Sequence, residues 1–143
     1  MQTATLYEEI ETALGMPEAH LHSDADLLKL VECRLDPSAL DSLISQGLTT
    51  FELYTLVIPQ RTLSHRKAKS ERLTLEESDR ALRTARILSL ARVVFADPEK
   101  ALRWLRKPKH ALQDKTPLGV LSTDAGARIV EEMLYRIDEG MAA

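Results

Sequence analysis

The chain has 143 residues, 44% of them apolar and 29% charged, with a formal net charge of −3. That is the make-up of one ordinary globular domain, or of two very small ones sharing a core. It holds no apolar run near the roughly 18 residues of a membrane span, no secretory signal in its acidic start from Met1 to Glu11, and one cysteine, Cys33, which excludes an internal disulfide and a cysteine-rich metal site. A cytoplasmic protein is the expectation.

Leu6, Ile10 and Leu14 recur at helical spacing, and Gly15 followed by Pro17 ends that first helix. His20 and His22 then stand in a polar turn with no further ligand nearby, so they read as loop histidines rather than metal ligands. Ser23 or Asp24 caps a second helix carrying Leu27, Leu28, Val31 and Leu35, which Asp36-Pro37 terminates. Ser38 starts a third, with Leu40, Leu43 and Ile44 inward and Gly47 as its stop. Thr49-Thr50-Phe51-Glu52 reads as a capping box, in which a threonine oxygen and a glutamate carboxylate each take up an orphan amide. It opens a short helix with Phe51, Leu53, Leu56 and Val57, which Ile58-Pro59 breaks.

Pro59 already has the φ of a first helical position. The helix that follows, Gln60 to about Lys69, keeps Leu63 as its one clear apolar anchor. A short helix, a tight turn and a second helix with a basic polar face make a helix-turn-helix arrangement over about residues 38–69. Arg61, His65, Arg66 and Lys67 suit phosphates, and Gln60, Thr62 and Ser64 are candidates for base edges. A packed helical corner with an exposed basic helix would have the same pattern. No glycine marks the turn, and Val57-Ile58 suits a left-handed conformation poorly.

Thr74-Leu75-Glu76-Glu77 is a second capping box. Its helix carries Leu75, Ser78, Leu82, Ala85 and Ser89 on one stripe, with Arg80, Arg83 and Arg86 away from it. From Ile87 to Phe95 almost no polar face remains, so this half is expected to be the spine of the core. Asp97-Pro98-Glu99 starts the next helix, with Ala101, Leu102, Trp104 and Leu105 before a stop at Pro108. Lys107 to Lys115 is a basic connector, and Thr116-Pro117 starts a single turn with Leu118 and Leu121. Ser122 or Thr123 caps the last helix, where Val130, Met133, Leu134 and Ile137 keep helical spacing until Gly140. No strand-like alternation appears, so the fold is expected to be all-α, an N-terminal helical bundle (1–72) continuous with a C-terminal helical region (73–143).

Charge is unevenly spread. Residues 1–60 hold two basic against ten acidic residues, residues 61–110 fourteen against six, and residues 111–143 three against six. A basic middle between acidic ends points to a polyanion or acidic protein as its partner, or else to basic helices that pair with acidic neighbours. The paired Glu76-Glu77 and Glu131-Glu132 read as caps and solvated faces. With no phosphate-cradling loop, nucleophile elbow or informative His–carboxylate spacing, no enzyme, cofactor or metal is expected. The apolar run Ile87 to Phe95 and the two-fold habit of helix-turn-helix proteins lead to an expected homodimer, or a larger dimer-based complex, held through the C-terminal half.

Several stretches in order resemble the Xre/MbcA/ParS antitoxins, the partners of RES-domain toxins in bacterial type II toxin–antitoxin pairs. They are Glu77-Ser78-Asp79-Arg80, Phe95-Ala96-Asp97-Pro98-Glu99-Lys100-Ala101-Leu102-Arg103-Trp104-Leu105, Thr116-Pro117-Leu118, and Thr123-Asp124-Ala125-Gly126-Ala127-Arg128 ahead of Val130, Leu134 and Gly140. Ile58-Pro59-Gln60-Arg61-Thr62-Leu63 resembles the family's DNA-binding corner. The resemblance covers roughly residues 26 to 143, and the first two dozen residues match nothing in it. It implies an antitoxin, not a catalyst. The C-terminal region would hold a NAD-degrading or ADP-ribosylating RES toxin inactive, and the helix-turn-helix would bind the operator and repress the pair's own promoter. The toxin-binding residues implied are Arg136, Asp138 and Glu139 at the toxin rim, then Gly140, Met141, Ala142 and Ala143 as a narrow tail into its cleft. Gln113-Asp114 stands where a glycine-rich turn is the family habit, and Glu139, Met141 and Ala142 replace a more aromatic ending. A stand-alone helix-turn-helix regulator without a toxin is the other reading, and an adjacent reading frame for a RES-type domain separates the two.

Overall fold

In the computed structural model, which describes residues 3–140, with side chains from Thr5 onward, the longest apolar run lies in the longest helix. This helix, α6 (Leu75–Phe95), follows seven-residue α4 (Thr50–Leu56) and α5 (Gln60–Ala68), and its start is fixed locally. The Glu77 amide donates to Thr74 Oγ1 at 3.1 Å and the Thr74 amide donates to Glu77 Oε1 at 2.9 Å, which closes the expected capping box. Ala81, Ala85, Ile87, Leu88, Leu90 and Ala91 are at most 1% exposed. A helix apolar on all sides must be wrapped on all sides, and α6 touches most of the others.

The wrapping begins with α1 (Thr3–Leu14), whose Leu6, Tyr7, Ile10, Ala13 and Leu14 are buried against α6 and α3 (Ser38–Ser45). The small residues Ala81, Ala85 and Ser89 keep α6 slim enough for close packing. The N-terminal stretch that resembled nothing is therefore one wall of the core. Next to it α2 (Asp24–Glu32), capped by Ser23, sends Leu27 and Val31 inward. Asp24 Oδ1 accepts from Tyr7 Oη and from Arg86 Nη1, each at 2.9 Å, and Arg86 Nη2 reaches Glu131 at 3.4 Å, so one guanidinium joins α2 and α6 to the final helix.

Three apolar assignments differ from the sequence reading. Leu28 on α2, Phe51 on α4 and Leu75 at the start of α6 are 59%, 77% and 49% exposed. Each lies on a helix whose inner stripe is filled by closer neighbours, Leu27 and Val31, Leu53 and Leu56, or Ser78 and Ala81. Leu35 is buried as expected, but outside α2. That helix stops at Glu32, Arg34 takes φ +62°, and the Leu35 amide donates to Ser78 Oγ at 2.9 Å. Asp36-Pro37 is then the start of α3 rather than the end of α2, with Asp36 Oδ2 accepting from the Ser38 amide at 2.9 Å.

After α6, Ala96 turns at φ +55° and Asp97 caps α7 (Pro98–Leu105), which buries Ala101 and Leu105. The ring centroids of Phe95 and Trp104 lie 5.8 Å apart at the edge of the core. The connector is more ordered than a polar loop. Gln113 and Asp114, at φ +56° and +65°, make the turn expected of glycines, and the Lys109 amide donates to the Lys115 carbonyl across it at 3.0 Å. Thr123 caps α8 (Asp124–Asp138), which buries Val130 and Leu134 while Met133 packs at the margin of the core and Ile137 is half-buried. Gly126 presses on the preceding turn so closely that an added Cβ would lie 2.0 Å from the Val120 carbonyl oxygen. The fold is all-α: the described residues form eight α-helices and no strand beyond the single Lys109–Lys115 bridge. Of the run Ile87 to Phe95, Ile87 to Ala91 are covered by this chain's own helices, and Val93, Val94 and Phe95 are half-buried. Among the described residues no helix is long and apolar enough to cross a membrane.

Candidate nucleic-acid interface and partner surface

The corner between α4 and α5 is built from residues that satisfy themselves locally. Thr49 and Glu52 close the first capping box, at 3.1 and 2.9 Å, and Val57 and Ile58 are 2% and 1% exposed on the inside of the turn. The turn needs no glycine because no residue in it is left-handed: Val57 has φ −116° and Pro59 φ −61°. From α6, Arg80 Nε donates to the Val57 carbonyl at 2.8 Å and holds the corner from behind. Leu63 anchors α5, as its spacing required.

On that anchor Gln60, Arg61, Ser64 and His65 share the outer face at helical spacing, all exposed and none with a side-chain partner among the described residues. Thr62 is half-buried at the side. Lys67 is exposed but reaches Asp41 Oδ1 at 2.9 Å. Arg66 departs most from its expected place on the DNA-facing side. Its guanidinium lies against the Glu77 carboxylate at 3.1 and 3.2 Å and within 3.5 Å of Glu71. Burial pushes the Glu77 carboxyl up, but the Arg66 guanidinium and the Thr74 amide outweigh it and hold the group below the usual glutamate range. Arg66 therefore fastens α5 to α6.

The same test sorts the other cations of the basic middle. Arg72 donates to the Arg34 carbonyl, Arg83 to Asp79 and the Leu121 carbonyl, Arg92 to Gln46, and Arg106 to Glu52. With Arg66, Lys67, Arg80 and Arg86, eight of the fourteen are spent inside the fold. The reading of the basic middle as helices that pair within the fold thus holds for these eight. On α5 and just after it, Arg61 and Lys69 remain free among the described residues. Sequence reading passed over Lys69, and no local signal marks it.

On the final helix, α8 presents a shallow hollow lined by Arg128, Glu131, Glu132, Tyr135, Arg136 and Glu139. Arg136 pairs with Glu132 at 2.6 Å and Arg128 with Asp124 at 2.9 Å, so the rim is mixed in charge. Asp138, Glu139 and Gly140 are exposed, Gly140 at φ +81° with open space where a Cβ would be. Met141, Ala142 and Ala143 lie outside the described residues. Among the described residues no three His, Cys, Asp or Glu side chains are grouped to hold a metal.

Comparison with known proteins agrees with this geometry. Residues 26–86 match the family model described as the antitoxin Xre-like helix-turn-helix domain, and residues 90–140 match the antitoxin Xre/MbcA/ParS C-terminal toxin-binding domain. The two matches meet within α6. The chain is 37% identical over 131 residues to a Pseudomonas putida protein named antitoxin Xre, covering 92% of this chain and 81% of that one. Proteins of the same name from Yersinia enterocolitica and Photorhabdus laumondii are 34% and 32% identical over 85 and 84 residues, each over 57% of its own length.

Proposed function

The chain belongs to the Xre/MbcA/ParS antitoxin family, and from that premise we propose that it binds and inhibits a cognate RES-domain toxin and represses its own operon. One end of the molecule is the DNA-binding end, through the outer face of α5. Arg61 and His65 meet phosphates, Gln60 and Ser64 read base edges, Thr62 and Lys67 flank them, and Arg66 positions the helix. The observation that carries this is the set Gln60, Arg61, Ser64 and His65 on α5, exposed and without a side-chain partner among the described residues, standing on a corner the fold spends several hydrogen bonds to hold.

The toxin is bound through the C-terminal region, at α8 and the tail that follows it. Arg136, Asp138 and Glu139 face its rim, and Gly140 releases Met141, Ala142 and Ala143 toward a NAD-binding cleft. The terminal carboxylate is suited to pair with a toxin cation that would otherwise hold a nucleotide phosphate. The working unit is a homodimer in the cytoplasm, since two α5 helices reading one operator need two-fold symmetry.

The experiment is co-expression of this chain with the product of the adjacent reading frame, followed by pull-down and measurement of cellular NAD. The chain should co-purify with that product and preserve NAD. Truncation after Glu139 should leave DNA binding intact and release the toxin. NAD loss that is the same with and without the full chain would overturn the toxin half of the proposal. Full protection by the truncated chain would remove the tail's role alone.

A further inference from the structure

Arg106 ties the end of α7 to the start of α4. Its Nε and Nη2 donate to the Glu52 carboxylate at 2.9 and 2.8 Å, and Nη2 also donates to the Gly47 carbonyl at 2.9 Å. Leu102 packs so tightly on Gly47, itself at φ +114°, that an added Cβ would sit 2.7 Å from Leu102 Cδ1. The C-terminal half is thus fixed beside the helix that, in a helix-turn-helix, crosses the DNA backbone.

Four cations lie on that part of the C-terminal half. Lys100 and Arg103 share the face of α7 turned away from buried Ala101 and Leu105, Lys107 follows two residues past the helix end, and all three are exposed. None of the three side chains has a hydrogen bond or ion pair among the described residues. Lys109 follows with its Nζ 4.7 Å from the Trp104 ring centroid, which holds the ammonium in place without neutralising it. Partial burial and the like charge of Lys107 both push the Lys109 ammonium down. Neither ammonium is paired with a carboxylate among the described residues. Eight of the fourteen cations of the basic middle were given partners by this fold, and these four were not.

We propose that Lys100, Arg103, Lys107 and Lys109 form a second phosphate-binding surface, which extends the DNA contact from the helix-turn-helix into the C-terminal half of the chain. The inference rests on reading α4 and α5 as the DNA-binding corner. The contact is to the backbone flanking the sequence that α5 reads, so it adds affinity and salt dependence without adding sequence preference.

The test is fluorescence anisotropy with a labelled duplex from the DNA upstream of this reading frame, titrated over a series of salt concentrations. The variants are Arg103→Gln/Lys107→Gln/Lys109→Gln and, separately, Arg61→Ala. Glutamine keeps a stem of similar reach on Trp104, and circular dichroism checks the fold. The triple variant should weaken binding to specific and unrelated duplexes alike, and flatten the salt slope by about one for each phosphate left without its cation. Wild-type affinity and slope in the triple variant, with Arg61→Ala impaired, would overturn this surface and leave the α5 reading standing. Wild-type DNA binding by the triple variant together with failed pull-down of the adjacent frame's product would also overturn it, and assign the stripe to an acidic protein. If Arg61→Ala binds as wild type while the triple variant does not, the reading of α5 fails and the stripe stands.

Discussion

Arg66 and Glu77 face each other as a bidentate pair, Nε to Oε1 at 3.1 Å and Nη2 to Oε2 at 3.2 Å, so the last turn of α5 is fastened to the first turn of α6. Glu77 also closes the capping box that starts α6, and its side chain is only 8% exposed. Removing Arg66 strands a buried carboxylate. Arg66→Ala is expected to lower stability by about 1–3 kcal/mol, read as a shifted denaturation midpoint. Because the guanidinium is occupied at Glu77, the folded variant should keep the wild-type salt slope on DNA. A slope flattened by one would return Arg66 to the phosphate-binding set.

Acid should loosen the same joints. Burial raises the Glu77 and Glu52 carboxyls, but Arg66 with Thr74, and Arg106 with Thr49, lower them more, so both lie below the usual glutamate range when folded. A depressed folded value means the stabilisation is complete above the unfolded value, about 4.3, and is lost as pH falls through the folded values. The thermal midpoint should therefore be flat from neutrality to about pH 5 and fall below pH 4. An Arg66→Ala/Glu77→Gln variant should lose part of that acid dependence.

How much of this was open to reading from the sequence depended on distance along the chain. Both capping boxes, the proline at the head of α7 and the Gly140 stop are local chemistry and appear where the residues put them. The Arg66–Glu77 pair spans two helices and eleven positions, and spacing alone carries no trace of it. Leu28, Phe51 and Leu75 match a helical period yet face outward, because the period says which residues share a stripe and not how wide the covered stripe is. The use of α1 as a wall of the core was likewise hidden. Its amphipathic pattern was plain, but its partner, α6, begins some sixty residues later.

Gly126 sits inside α8, where alanine is the better helix former by about 1 kcal/mol. Its missing Cβ nonetheless leaves room for the Val120 carbonyl, 2.0 Å from where that atom would be. Gly126→Ala is expected to destabilise by about 1–3 kcal/mol, measured by denaturant unfolding, and to weaken toxin capture by shifting α8. Gly140→Ala meets open space, so its cost is the backbone strain of an alanine at φ +81° alone, about 1 kcal/mol.

On DNA, Arg61→Ala should reduce affinity across sequences and lower the salt slope by about one, while Gln60→Ala should relax sequence preference with little change in slope. Competition with unrelated duplexes separates the two. Equal effects of the two changes on slope and preference would mean that α5 does not lie with its outer face in the groove.

The central claim is that operator binding and toxin binding sit on separate surfaces of one antitoxin, the outer face of α5 with the neighbouring α7 stripe for the one, and α8 with the tail after it for the other. The direct measurement is a reporter fused to the DNA upstream of this reading frame, in cells that also carry the adjacent frame's product. An Arg61→Ala/Ser64→Ala variant that is folded by circular dichroism should release the reporter and still protect the cells from NAD loss. Unchanged repression by that variant, or loss of protection along with repression, would contradict the account.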